Sequence, residues 1–276
     1  VELADTHCHL DFGKFDADRP DVLNRARAAG VSRVLIPAVT LPSSLSAVKL
    51  ADSDPMLFAA IGVHPTDALT WDDGTAEALR GLASNPKVVA IGEIGLDYYW
   101  DSAPHDVQQR VLREQLDLAA ELELPVVIHL REAGDAEDGD CARDGMILLG
   151  DWANRLERDG NPLAKRPGVL HSFSGSASTA KRAIDLHFHI GVTGPVTFKN
   201  AVRRQQLIAS LPLERLLIET DAPFLAPEPR RGRRNEPANV AHIADKIASL
   251  HSRTPEEIAA ITSENARRLF RWGETS

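Results

Sequence analysis

Hydrophobic positions along the chain follow two alternating patterns. Short, near-continuous apolar runs such as Val34-Leu35-Ile36 and Val126-Val127-Ile128 recur along its length, as strands buried on both faces require. They predict strands near Glu2–Thr6, Arg33–Ala38, Leu57–Val63, Val88–Ile94, Pro125–Leu130, Gly168–Phe173, Phe188–Val192 and Arg215–Thr220. Between these runs the apolar residues take helical spacing. Val107, Val111, Leu118 and Leu122, joined by Leu112, Leu116 and Ala119, make a broad face on a helix of about five turns. Gly30, Gly81 and Gly160 mark helix ends. The last helix opens on Thr254 as N-cap, with Pro255 in the first turn and Glu257 completing a capping box, and turns Ile258, Ile261 and Leu269 inward.

Eight strands alternating with helices predict an α/β protein with the (β/α)8 TIM-barrel architecture, residues 1–276 forming one domain. The alternative, an open doubly wound sheet, lacks its glycine-rich phosphate loop; Gly92–Gly95 is too short to serve. Two segments read as irregular: Arg131–Pro167, acidic at its start, and Ala222–Pro237, rich in proline and arginine.

Composition narrows this picture. A chain of 276 residues that is 43% hydrophobic can bury a large core. No apolar run approaches membrane-spanning length, so no membrane association is expected. Only two cysteines are present, Cys8 and Cys141, which points to a reducing cytoplasm rather than a disulfide framework. A net charge of −9 argues against a surface that binds nucleic acid everywhere. Bound cations or a local arginine cluster can still reverse the field at one site.

A barrel keeps its active site at the C-terminal ends of its strands, and that is where the chemistry gathers. The first strand ends in Asp5-Thr6-His7-Cys8-His9, with Asp5, His7 and His9 on one face by strand alternation and Cys8 on the other. His64, Glu93, His129, His171 and Asp221 follow at the ends of later strands. Any one of these histidines alone reads better as a hydrogen-bonded core residue. Together, His7, His9, His129 and His171 with Glu93 and Asp221 would be costly to desolvate at one mouth without a cation. Six such ligands exceed one tetrahedral ion and suit two divalent ions sharing a carboxylate. Glu93 is the expected bridge, with His7, His9 and Asp221 on one ion and His129 and His171 on the other. Zinc, manganese and magnesium all match the mixed nitrogen and oxygen donors, and such a site generates a hydroxide between the ions as nucleophile.

Seven stretches carry a family resemblance: Asp5-Thr6-His7-Cys8-His9-Leu10, Gly62-Val63-His64-Pro65, Gly92-Glu93-Ile94-Gly95-Leu96-Asp97-Tyr98-Tyr99, Ile128-His129-Leu130-Arg131, His171-Ser172-Phe173-Ser174-Gly175, Glu219-Thr220-Asp221-Ala222-Pro223-Phe224-Leu225 and Arg231-Gly232-Arg233-Arg234-Asn235-Glu236-Pro237. In this order they resemble the TatD family of metal-dependent deoxyribonucleases. The resemblance implies an amidohydrolase-superfamily barrel, metal ligands on the six residues above, and exonucleolytic hydrolysis of phosphodiesters from the 3′ end. Two departures stand out: a connection at Arg131–Pro167 longer than the family's usual one, and Arg230 where an aromatic residue is common.

The remaining candidates surround the metal ligands. Asp221 is expected to accept the proton of the attacking water. His64 is expected to bind a phosphate oxygen or assist the leaving group, and Glu219 to orient a ligand. Arg131 reads equally as a phosphate clamp or a structural salt bridge. Phe173 either stacks on a base or fills the barrel mouth. Arg231, Arg233 and Arg234 are expected to contact the substrate backbone. The expected substrate is single-stranded nucleic acid, DNA with RNA as a further candidate, acted on by a monomer. Two other function classes fit parts of the pattern. One is a metal amidohydrolase that cleaves a C–N or ester bond in a small molecule or aminoacyl group. The other is a non-catalytic nucleic-acid-binding barrel, against which the intact ligand set argues.

Overall fold

The computed structural model describes residues 2–100 and 102–272. Its strands are β1 (Leu3–Asp5), β2 (Val31–Pro37), β3 (Leu57–Ile61), β4 (Val88–Asp97), β5 (Val126–Arg131), β6 (Gly168–Leu170), β7 (His189–Val192) and β8 (Leu216–Ile218). They pair in sequence order, every neighbour parallel. The helices between them are α1 (Arg19–Ala28), α2 (Leu41–Asp52), α3 (Asp73–Leu82), α4 (His105–Leu122), α5 (Asp140–Arg158), α6 (Ala177–Asp185) and α7 (Val202–Ser210), with α8 (Val240–His251) and α9 (Pro255–Phe270) after β8. This is the expected (β/α)8 barrel.

The barrel closes between β8 and β1 through the residues just beyond both strands. Thr6 N–H donates to Ile218 O at 3.1 Å, Asp221 N–H to His7 O at 2.8 Å, and His9 N–H to Ala222 O at 2.8 Å. Asp5 seals the same seam, its two carboxylate oxygens accepting from the Thr220 N–H at 2.8 Å and the Thr220 hydroxyl at 2.6 Å. It lies at the end of β1, just before His7 and His9, but serves the seam.

Two apolar cores result. One lies between the sheet and the helices and includes Leu10, Phe15, Ile36, Ile61, Leu116 and Ile247. The other fills the barrel interior with Ala4, Leu35, Phe58, Val89, Val127, Val169 and Leu217. The far end of the barrel from the mouth is stoppered by α9 and the residues after it: Trp272 packs on Phe58 at 5.4 Å and on Phe270 at 5.0 Å between ring centroids. The capping box predicted at Thr254 and Glu257 is present.

The structure corrects two readings. Arg131–Pro167 is largely α5, the barrel's own fifth helix, which buries Cys141, Met146, Leu149, Trp152 and Leu156. Its acidic residues and glycines dilute the helical period. At Gly145 the helix lies directly on β5: a Cβ at that position would be 2.6 Å from Leu130 Cδ2, so the Leu130 side chain would have to shift. Strands β1, β6 and β8 are each three residues, shorter than predicted. After β6 and β8 the chain turns out of the ladder, with Ser172 at φ 45° and Asp221 at φ 54° in the left-handed region. That region is sparsely populated by non-glycine residues, and such positions cluster at functional sites.

If the α9 stopper holds the interior core, Phe270→Ala leaves a cavity there and should lower stability by about 3–5 kcal/mol in urea denaturation. Metal uptake at the opposite end should be unchanged. A variant as stable as the parent would show that the stopper contributes little.

Candidate metal centre

The mouth is built around one carboxylate. Glu93, 4% exposed, holds Oε2 at 3.3 Å from His7 Nε2 and 3.8 Å from His9 Nε2. Its Oε1 lies 2.8 Å from His129 Nδ1, 3.7 Å from His64 Nε2 and 4.0 Å from His171 Nε2. Asp221 faces the same imidazoles from the rim, its Oδ1 3.7 Å from His7, 3.6 Å from His9 and 3.7 Å from His171. The six residues expected as ligands therefore meet. His64, expected to serve substrate, joins them.

Three overlapping groups emerge: His7, His9 and Asp221; His7, Glu93 and His171; and His64, Glu93 and His129. The second and third differ from the sequence-based pairing of His129 with His171. His171 lies flat on His7, ring centroids 3.4 Å apart, while His64 meets His129 edge-on at 4.5 Å. A cation with bonds of about 2.0–2.2 Å sets its ligand atoms about 3.0–3.6 Å apart. The His7 and His9 Nε2 atoms are 3.3 Å apart, a separation that suits a shared cation. The donor set and spacing fit a divalent metal.

Behind the ligands stand carboxylates that orient them. Glu219 Oε2 accepts from His171 Nδ1 at 2.9 Å and from the Ser172 N–H at 2.9 Å. Gly191 makes this possible: a Cβ there would collide with the Glu219 carboxylate. On the other side Asp97 Oδ2 lies 3.0 Å from His129 Nε2. Asp97 belongs to the Gly92–Tyr99 stretch, yet sequence reading gave it no role. Its position four residues after Glu93, on a strand that runs on to its C-terminal end, is the signal that was available.

Charge in the metal-free centre follows this geometry. Burial opposes ionisation of Glu93, but His7 and the His129 hydrogen bond outweigh it and hold the carboxyl well below its usual range. Burial pushes His7 well down, His9 to about 4 and His64 to about 3. His129 and His171 rise to about 9: burial works against protonation, but Asp97 with Glu93, and Glu219, overcome it. Asp221 is raised to about 7, mainly by burial, despite the attraction of His171.

The candidate substrate groups separate. Arg131 pairs with Asp135 at 2.9 Å and lies 3.8 Å over the Tyr99 ring. Arg234 is committed to Asp18, bonding both carboxylate oxygens at 2.8 and 2.7 Å, and stacks over Phe15. Arg25 and Glu236 add a second tie, so the irregular 222–237 segment is pinned to α1. Arg231 lies over Phe198 at 4.3 Å, and neither it nor Arg233 has a carboxylate partner among the described residues. Phe173 is buried, its ring against the position a Gly175 side chain would take.

Comparison with known proteins agrees with this architecture. The family model described as TatD related DNase matches residues 4–271. A Bacillus subtilis protein named as an uncharacterized metal-dependent hydrolase, YabD, is 41% identical over 98% of this chain and 99% of its own. A Salmonella typhimurium protein named 3'-5' ssDNA/RNA exonuclease TatD is 37% identical over 97% and 98%. The crystal structure of YjjV, a TatD homologue from Escherichia coli, superposes with a TM-score of 0.84 at 35% identity, covering 98% of both chains. This chain belongs to the TatD family of related DNases and is a hydrolytic enzyme of that family.

Proposed function

We propose that residues 1–276 form a single nuclease barrel that removes nucleotides from the 3′ ends of single-stranded DNA, with RNA as a second substrate. It uses two divalent ions of zinc, manganese or magnesium and acts as a monomer. The observation that carries this reading is the buried Glu93 carboxylate encircled by His7, His9, His64, His129 and His171. Relatives named exonucleases support phosphodiesters over the C–N bonds of the amidohydrolase alternative. Among the described residues no helix is long and apolar enough to cross a membrane.

Divalent ions at this centre would supply activated water at neutral pH and offset the charge of the phosphate. The chain's own residues do the rest. His7, His9, Glu93, His129, His171 and Asp221 would hold the ions between them, in the overlapping groups that the fold brings together. Glu219 and Asp97 fix the imidazoles that touch them. Asp221, at the rim of the cluster, takes the proton of the attacking water. His64 Nδ1 lies 2.7 Å from the Thr66 hydroxyl and 3.2 Å from the Thr66 N–H, which anchors the ring with Nε2 turned to the centre, where it would meet a substrate oxygen. Arg231 and Arg233 contact the phosphate backbone. Arg131, held by Asp135, contributes at the rim, and Phe173 shapes the wall of the mouth.

Asp221→Asn keeps the shape and removes the base, so turnover should fall at least about a hundredfold while oligonucleotide binding persists. Near-normal turnover would assign the base elsewhere. Metal uptake should depend on pH in a defined direction. His129 and His171, raised to about 9, and Asp221, raised to about 7, carry protons that an ion must displace. Affinity should therefore rise as pH increases towards 9, and uptake at pH 7 should release protons. Titration calorimetry in two buffers of different ionisation enthalpy reads that release; identical heats would contradict it.

Replacing Arg231 and Arg233 with alanine should weaken binding to all sequences alike. It should flatten the log–log salt dependence by roughly 0.7 for each phosphate no longer neutralised. Arg234→Ala should instead loosen the 222–237 segment. A closed single-stranded circle should resist cleavage; efficient cutting of it would reject an end-dependent mechanism.

A further inference from the structure

Among the described residues, the exposed aromatic side chains are Tyr99, Trp100 and Phe224. All lie on loops leaving the C-terminal ends of β4 and β8, at the mouth. Exposed aliphatic residues elsewhere, such as Leu45 and Ile147, are scattered along outer helices, as surface apolar residues normally are. Exposed aromatics beside a phosphodiester-cleaving centre call for a different explanation.

Each is paired with a cation. Arg131 lies over Tyr99 at 3.8 Å and near Trp100 at 5.9 Å, and Tyr99 meets Trp100 edge-on at 4.9 Å. Lys14 sits 4.9 Å over the Phe224 ring. Trp100 is 54% exposed and Phe224 43%, so both retain open surface. A positive charge next to an aromatic face is the combination that holds single strands, with bases stacking on rings and backbone drawn by the cation.

Both pairs are also tied rigidly to the metal centre, from opposite sides of Glu93. Asp97 Oδ1 accepts the N–H groups of Tyr99 and Trp100 at 3.0 Å each, while its other oxygen meets His129. On the far side Phe12 stacks on His9 at 4.5 Å and meets Phe224 edge-on at 6.2 Å. Asp97 thus links Tyr99 and Trp100 to His129, and Phe224 meets His9 both directly, edge-on at 6.4 Å, and through Phe12. The geometry points to Trp100 (with Tyr99 and Arg131) and Phe224 (with Lys14) as two base-stacking platforms that grip nucleotides on either side of the cleaved bond. This inference rests on the nuclease reading and adds the contacts that place the strand.

The test crosses two variants with two kinds of substrate. Trp100→Ala and Phe224→Ala are assayed on end-labelled single strands that carry every base, or an abasic nucleotide at one of the first four positions from the cleaved end. Metal stoichiometry and thermal midpoint check that each variant is folded and loaded. On the intact strand each variant should raise KM by about fivefold to a hundredfold, with kcat moved less. An abasic nucleotide at the position facing a platform should cost the wild-type enzyme that same factor and cost the matching variant nothing further. Penalties that multiply at every position, or variants with unchanged KM, would overturn the platforms while leaving the nuclease reading intact. A wild-type enzyme that cleaves no intact strand would instead bring down the nuclease reading on which they rest.

Discussion

A carboxylate withdrawn from water among imidazoles is the arrangement on which the mouth of this barrel depends. Glu93 is nearly inaccessible, and an unpaired charge there would be prohibitively costly. Its environment is assembled from almost every strand. The residues after β1 supply His7 and His9, those after β3 His64, β4 itself Glu93 and Asp97, β5 His129, and the residues beyond β6 and β8 His171 and Asp221. The two remaining strands contribute without giving a ligand. Beyond β2, the Ala38 and Val39 carbonyls accept the N–H groups of Glu93 and His64 at 2.8 and 2.9 Å. In β7, Gly191 leaves the space that Glu219 fills. A shift in any strand would therefore reach the centre.

Opposing demands of charge are settled locally. The chain is acidic overall and belongs to a family of nucleases, whose substrates are polyanions. The arginine run after β8 does not act as a unit: Arg234 is used to fasten its own loop to α1, whereas Arg231 and Arg233 keep their charge available. Arg131 is likewise divided between Asp135 and Tyr99. Sequence shows the cluster of charges but not this division, because Asp18, the partner of Arg234, is distant along the chain.

The sequence made the barrel and the cluster at its mouth legible for a simple reason. Buried parallel strands write themselves as continuous apolar runs, and the histidines and carboxylates that converge at the mouth follow at the ends of those runs. Less legible was whatever depended on contacts between strands. The pairing of His64 with His129, and of His171 with His7, follows from how rings lie across the mouth. Asp5 satisfied the same alternation rule as His7 and His9, yet the nearness of Thr220 across the seam drew it into closure. The fifth helix was obscured because its acidic residues and glycines, Gly145 among them, interrupt the apolar period.

The closing seam has a consequence for how the protein comes into being. His7 and His9 lie on one side of it and Asp221 on the other, in a region whose cross-seam bonds join residues 212 to 215 positions apart. The seam hydrogen bonds and the outer ligand group are therefore made by the same few residues. During synthesis His7 and His9 precede Asp221, the residue that faces them across the seam. A chain interrupted before β8 has neither a closed barrel nor the Asp221 side of the centre. Closing the barrel and bringing Asp221 to face His7 and His9 are thus a single event.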